Sequence, residues 1–148
     1  MRIEDEIKQY SFIDAHQKVL INLLYTTGWL QSKQQSFFKP YGITSQQFNI
    51  LRILKGAHPK AMSGTEIKAR MLDKNSDISR LLDRLIVKKL VVKSISQNDK
   101  RASEVKITTP GITLLQDISK SRVALDQVLA LTAAEANQLS DLLDKARG

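Results

Sequence analysis

Between Ile78 and Thr108 the apolar pattern changes its period, and few folds accept such a change. Ile78, Leu81, Leu82, Leu85 and Ile86 recur at the spacing of one helical stripe. A helix starting between Asp73 and Ser76 is expected, with Ser76, Ser79, Arg80, Asp83, Arg84 and Val87 on its exposed face. From Leu90 to Ser96, and again from Ala102 to Thr108, the chain turns to Val, Ile, Ser and Thr around the polar tip Gln97-Asn98-Asp99-Lys100-Arg101. That is the signature of an antiparallel hairpin.

The helices before and after this switch announce their starts. Thr44-x-x-Gln47, Ser63-x-x-Glu66 and Thr132-x-x-Glu135 are capping boxes, in which each end satisfies a backbone N–H of the other. They predict helices from Thr44 to about Leu54, from Ser63 to about Leu72, and over the last segment, where Ala136, Leu139, Leu142, Leu143 and Ala146 share a face. A long helix over about Asp14 to Phe38 precedes the Pro40-Tyr41-Gly42 turn. Another is expected from Thr108-Thr109-Pro110-Gly111 through about Leu129, packing through Ile112, Leu115, Ile118, Leu125 and Val128. Three short helices followed by a hairpin make a winged helix-turn-helix. The expected fold is mainly α with a small β-hairpin wing, one domain over 1–148. Residues 39–111 form the reading lobe, and 1–38 and 112–148 are helices for dimerisation.

Charge singles out the same segment independently. Of the formal +8, residues 1–51 hold +1, residues 52–106 hold +8 and residues 107–148 hold −1. A basic middle between near-neutral ends points to a polyanion met by one segment only. An anionic membrane surface would require aromatic residues opposite Lys and Arg on the basic helix, and there are none. The longest apolar stretch, Val19 to Tyr25, is broken by Asn22 and far too short to span a bilayer. With no secretory leader in the acidic start, a cytoplasmic location is expected. The absence of cysteine excludes disulfides, thiolate nucleophiles and Cys-based zinc sites. His16 and His58 are too far apart in sequence to suggest a metal pair, no cofactor motif is present, and no nucleophile, phosphate-loop or dinucleotide signature suggests an enzyme.

Taken together, Ile43-Thr44-x-Gln46-Gln47-Phe48, Ser63-x-x-Glu66-Ile67, Ile78-Ser79-Arg80-Leu81-x-Asp83-Arg84-Leu85, Leu90-Val91, Asp99-Lys100-Arg101 and Ile107-Thr108-x-x-Gly111 resemble the MarR family of bacterial transcriptional regulators. The resemblance implies a homodimer held by its terminal helices, bound to pseudo-palindromic double-stranded operator DNA and commonly released by a small, often aromatic, ligand. It departs at Lys89, where the family usually has Gly between recognition helix and wing. Lacking cysteine, the chain also falls outside the family's peroxide-sensing branch.

Candidate DNA contacts are therefore Ser63, Thr65, Lys74, Asn75, Ser76, Ser79, Arg80 and Arg84 on the helices, and Asn98, Asp99, Lys100 and Arg101 on the wing. Asp77 and Asp83 could instead neutralise the two arginines. Asp99 is open to two readings, a carboxylate that orients the Arg101 guanidinium and a plain turn former. Tyr25, Trp29 and Phe48 are candidates for an effector pocket between the dimer helices and the lobe, with ordinary core packing as the alternative. Apolar faces on residues 1–38 and 112–146 exceed what a small lobe covers, which predicts a second copy. The competing function is a winged-helix module that binds an acidic protein.

Overall fold

In the computed structural model, which describes residues 1–121 and 127–148, a short helix α1 (Ile3–Ile7) leads into the long α2 (Ala15–Phe38). The Asp14 carboxylate starts α2 by accepting from the Gln17 N–H at 2.8 Å. A 3-10 turn at Lys39–Tyr41 ends on Gly42 at φ 69°, a left-handed backbone. Then come α3 (Ser45–Ala57), β1 (Met62–Ser63), α4 (Gly64–Arg70), α5 (Ile78–Val87), β2 (Val91–Ile95), β3 (Ser103–Ile107), α6 (Thr109–Ser119) and α7 (Ala133–Arg147). All three capping boxes form as the sequence spacing requires.

The wing is a three-stranded antiparallel sheet in the order β1-β3-β2, with Met62 opposite Val105 and Val91 opposite Ile107. β1 is an addition to the expected hairpin, too short to leave a period of its own in the sequence. Leu51, Leu54, Ile67, Leu85, Val105, Ile107 and Ile118 close one core beneath α3, α4, α5 and the sheet.

Two joints fix the wing to this core. Lys89 takes φ 60°, and its N–H reaches the Ile86 carbonyl at 2.9 Å while Leu90 N–H reaches Leu85 at 3.0 Å. This paired closure of the α5 carbonyls is the geometry that glycine adopts most cheaply. Lysine adopts it here without changing the turn. At the other joint, a Cβ on Gly111 would stand 2.4 Å from the Leu90 carbonyl oxygen. The Thr108 hydroxyl donates to Lys89 O at 2.7 Å and accepts from Gly111 N–H at 3.2 Å, tying the wing base to the start of α6.

α6 ends at Ser119, ahead of the expected Leu129. Its last turn closes where Ser121 N–H reaches back to Ile118 O at 3.0 Å. Leu125 lies outside the described residues, and Val128 follows them without helix. The arms contrast with the lobe. α2 buries only Phe38 and α7 buries nothing, while Val19, Leu20, Leu23, Leu24, Leu139 and Leu142 are exposed.

Candidate nucleic-acid interface

α5 starts at Ile78, later than the expected Asp73 to Ser76, because the Asp77 carboxylate accepts from Arg80 N–H at 3.2 Å and caps it. Its buried side carries Ile78 and Leu85, and Ser79, Arg80, Asp83, Arg84 and Val87 face solvent. Asp77 is thus used by the helix end, and among the described residues neither Arg80 nor Arg84 enters an ion pair with Asp77, Asp83 or any other carboxylate. The neutralised-surface alternative fails for both arginines. Their guanidiniums stand free on the face of a helix whose width suits a major groove.

Ser76 requires a correction. Expected on that exposed face, it precedes the helix and is buried at 5% exposure, within 3.4 Å of the Gln46 amide. The turn from α4 to α5 has to close over the core between Met71 and Ile78, and Ser76, just before the Asp77 cap, is drawn inward. The other candidates flank a groove between the starts of α4 and α5, lined by Thr65, Lys68, Lys74, Asn75 and Ser79. Lys74 bends back so that its ammonium donates to the Ala69 carbonyl. The Ser63 hydroxyl accepts from Glu66 N–H at 3.2 Å, and the Glu66 carboxylate accepts from Ser63 N–H at 2.8 Å. That second bond holds the Glu66 carboxyl below the usual carboxylate range. Ser63 therefore serves the α4 cap.

At the wing tip, the buried Ser96 hydroxyl lies 3.3 Å from both Asn98 N–H and Asp99 N–H. The Asp99 carboxylate accepts from the Arg101 backbone N–H at 2.9 Å. Asp99 thus shapes the turn, and no ion pair among the described residues involves Arg101. Asn98, Lys100 and Arg101 are exposed at the tip.

The effector candidates separate. Tyr25 and Trp29 line a cavity of about 460 Å³ with Glu4, Glu6, Lys18 and Asn22, formed where α1 folds back on α2. Tyr25 OH donates to Glu6 at 2.5 Å, which raises the phenol above its ordinary value. Lys18 donates to Glu4 at 2.5 Å and is the main cause of a Glu4 pKa lowered to about 2. Phe48 is elsewhere, half-buried with its ring 4.7 Å from Phe38 and the Arg52 guanidinium 5.8 Å above it. Its packing with Phe38 at the α2 to α3 corner takes it away from the expected pocket.

The MarR family pattern matches residues 41–102, from the turn before α3 to the wing tip. A mutant MarR from Escherichia coli, solved in complex with operator DNA, is 28% identical, covers 92% of this chain and 99% of its own, and superposes with a TM-score of 0.77. The chain carries the MarR pattern over its lobe and is similar to solved MarR proteins over nine-tenths of its length. A MarR transcription factor from Planctomyces limnophilus is 29% identical over 90% of this chain and 98% of its own, with a TM-score of 0.70. Among curated HTH-type transcriptional regulators, MhqR of Bacillus subtilis is 30% identical over 98 residues, 64% of this chain and 65% of MhqR. PapX of Escherichia coli is 24% identical over 61% of this chain, which spans 55% of PapX. The two solved MarR structures share the mainly helical winged fold described above.

Sequence reasoning missed the polar residues on α3 that hold the α4 to α5 turn. Gln46 donates to Asp73 at 3.0 Å, and Asn49 accepts from Leu72 N–H at 3.0 Å. Gln46 and Asn49 sit one turn apart on a helix, a weak signal that gains meaning only once the turn is seen beside them. Among the described residues no group of His, Asp or Glu is placed to hold a metal ion, and no helix is long and apolar enough to cross a membrane.

Proposed function

We propose that the chain is a sequence-specific, DNA-binding transcriptional regulator that works as a homodimer and carries no catalytic site. The observation behind this reading is the pair of unneutralised guanidiniums, Arg80 and Arg84, on the exposed face of α5 beside a basic wing tip. α5 enters the major groove, where Ser79 and the turn residues Lys74 and Asn75 approach base edges and Arg84 holds phosphate. Lys100 and Arg101 reach along the adjacent minor groove, where narrow A·T-rich segments concentrate negative potential. The MarR complex with operator DNA supports the reading by likeness.

Dimerisation follows from the exposed apolar faces of α2 and α7, which a second copy would cover. Two-fold symmetry then sets two α5 helices roughly 34 to 36 Å apart, one DNA turn. The cavity beside Tyr25 and Trp29 would accept a small aromatic effector, bound where it can shift the arms and hence that spacing. Titrating duplex DNA across salt concentrations tests the main claim. Arg84→Ala lowers the salt slope by about one on every sequence, as expected for one lost phosphate contact. A shallow salt dependence in the wild type, with tight binding to an acidic protein instead, would overturn the assignment. For the effector, aromatic acids that release DNA change Trp29 fluorescence, and unchanged fluorescence on release would place the effector elsewhere.

A further inference from the structure

The segment that carries Lys74 and Asn75 between α4 and α5 is exposed, yet it is pinned from below by one side chain of α3. Gln46 is half-buried, and its amide nitrogen donates to Asp73 Oδ2 at 3.0 Å and lies 3.4 Å from the hydroxyl of buried Ser76. The second oxygen of the same carboxylate accepts from Asn75 N–H at 2.9 Å. A continuous polar path thus runs from Gln46 through Asp73 to the backbone of Asn75. Ser76 N–H reaches the Asp73 carbonyl at 3.3 Å, and Asn49 holds Leu72 N–H at 3.0 Å. Among the described residues the Asn75 side chain has no hydrogen-bond partner within the chain, so its amide is free to read a base edge, and asparagine pairs most specifically with adenine.

We propose that Gln46 is a positioning residue for sequence discrimination: through Asp73 and Ser76 it fixes the pose in which Asn75 and Lys74 meet the DNA. The inference rests on the DNA-binding reading above. Gln46 is not needed to start α3, since Thr44 and Gln47 supply that capping box. Its loss therefore frees the turn without opening the core. A freed turn must be ordered again on each binding event, at roughly 1–2 kcal/mol per residue fixed, and it tolerates several poses on the wrong base.

The test uses the full-length protein and a duplex that the wild type selects from a random library, with affinities measured for that duplex and for each single base-pair change in it. Gln46→Ala is expected to reduce discrimination by about tenfold at the base pairs nearest the turn, the size of one lost base-reading contact, while melting temperature and salt slope stay unchanged. In an Asp73→Ala background the same substitution adds little, since only the 3.4 Å contact with Ser76 is left to lose. Gln46→Glu sets two carboxylates against each other and loses a similar amount. Adding Asp73→Asn to Gln46→Glu restores it to within about threefold, because the introduced amide donates to the introduced carboxylate through its nitrogen and still accepts from Asn75 N–H through its oxygen, at unchanged net charge. Unaltered discrimination in Gln46→Ala, or a double variant no better than Gln46→Glu alone, would overturn the positioning role and leave DNA binding standing. A wild type that selects no sequence would overturn both.

Discussion

The lobe and the arms of this chain solve the burial problem in opposite ways. In the lobe, Ile50, Leu51, Leu54, Ile67 and Leu85 are fully buried among elements less than 60 residues apart in sequence. In the arms, α2 presents Leu20 at 57% exposure and Leu24 at 66%, and α7 presents Leu142 at 55%. Charge divides the same way, with the excess on the lobe and near neutrality on the arms. The lobe closes its own core and turns its surface to a polyanion. The arms leave apolar surface uncovered, which a second copy would cover under the proposed function, and their near-neutral charge does not oppose that approach.

The comparison breaks first at the core. Leu54→Ala is expected to cost about 3 kcal/mol in urea denaturation, transfer loss plus cavity, whereas Leu24→Ala leaves lobe unfolding within about 0.5 kcal/mol. Equal costs would mean that α2 belongs to the lobe core. Charge placed on the arms acts on association instead. Leu24→Asp combined with Leu142→Asp should weaken the dimer about a hundredfold, close to 3 kcal/mol, as read by sedimentation, with the near-ultraviolet signature of the lobe retained.

The wing joints sharpen the contrast at smaller scale. Gly111→Ala forces its new methyl against the Leu90 carbonyl, and a loss of about 2 kcal/mol is expected in thermal unfolding, the range of overpacked sites. At Lys89 the sign reverses. Relief of a left-handed β-carbon gives back about 1–2 kcal/mol, and the greater freedom of glycine in the unfolded chain takes away about 0.4–1, so Lys89→Gly stabilises by roughly 0.5 kcal/mol. A destabilised variant would show that the lysine side chain contributes more than its backbone costs.

The smallest effect belongs to the α1 strap on α2. The Glu4 pKa is lowered to about 2 by its bond with Lys18, so the strap's contribution is fully present above the ordinary carboxylate range and is lost as pH falls through about 2. Trp29, which lines the cavity under the strap, reports this as a fluorescence change on acidification that Glu4→Gln abolishes. An acid transition identical in the variant would assign it to other groups.

Much of the lobe was legible from its residues because its signals are local. A capping box needs residues three apart, a buried stripe needs three or four, and a hairpin needs two short runs and a polar tip. Arg80 and Arg84 were readable on the same terms, since the stripe that buries Leu81 and Leu85 turns them outward. Ser76 was misjudged because its place depends on where α5 begins, and the cap fell to Asp77. For Phe48 the choice between pocket and core was not legible, because its partner, Phe38, comes from another helix across a turn. Asp99 shows the limit at a single side chain: the same carboxylate could hold a guanidinium or an N–H, and the turn geometry brought the N–H of Arg101 within 2.9 Å.

The sequence by itself determined the order of the longer helices and the hairpin, the buried side of α5 and the segment that carries the positive charge, because each depends on residues close together in the chain. Tertiary structure alone decided what those elements do together. Gln46 meets Asp73 across 27 positions, and β1 joins a sheet whose other strands lie far along the chain. Tyr25 shares a cavity with the N-terminal strap rather than with Phe48. The physical reason is the same in each case. Such contacts become favourable only after the core has closed and fixed two distant backbones at one distance, and nothing in the local pattern of either segment records that distance.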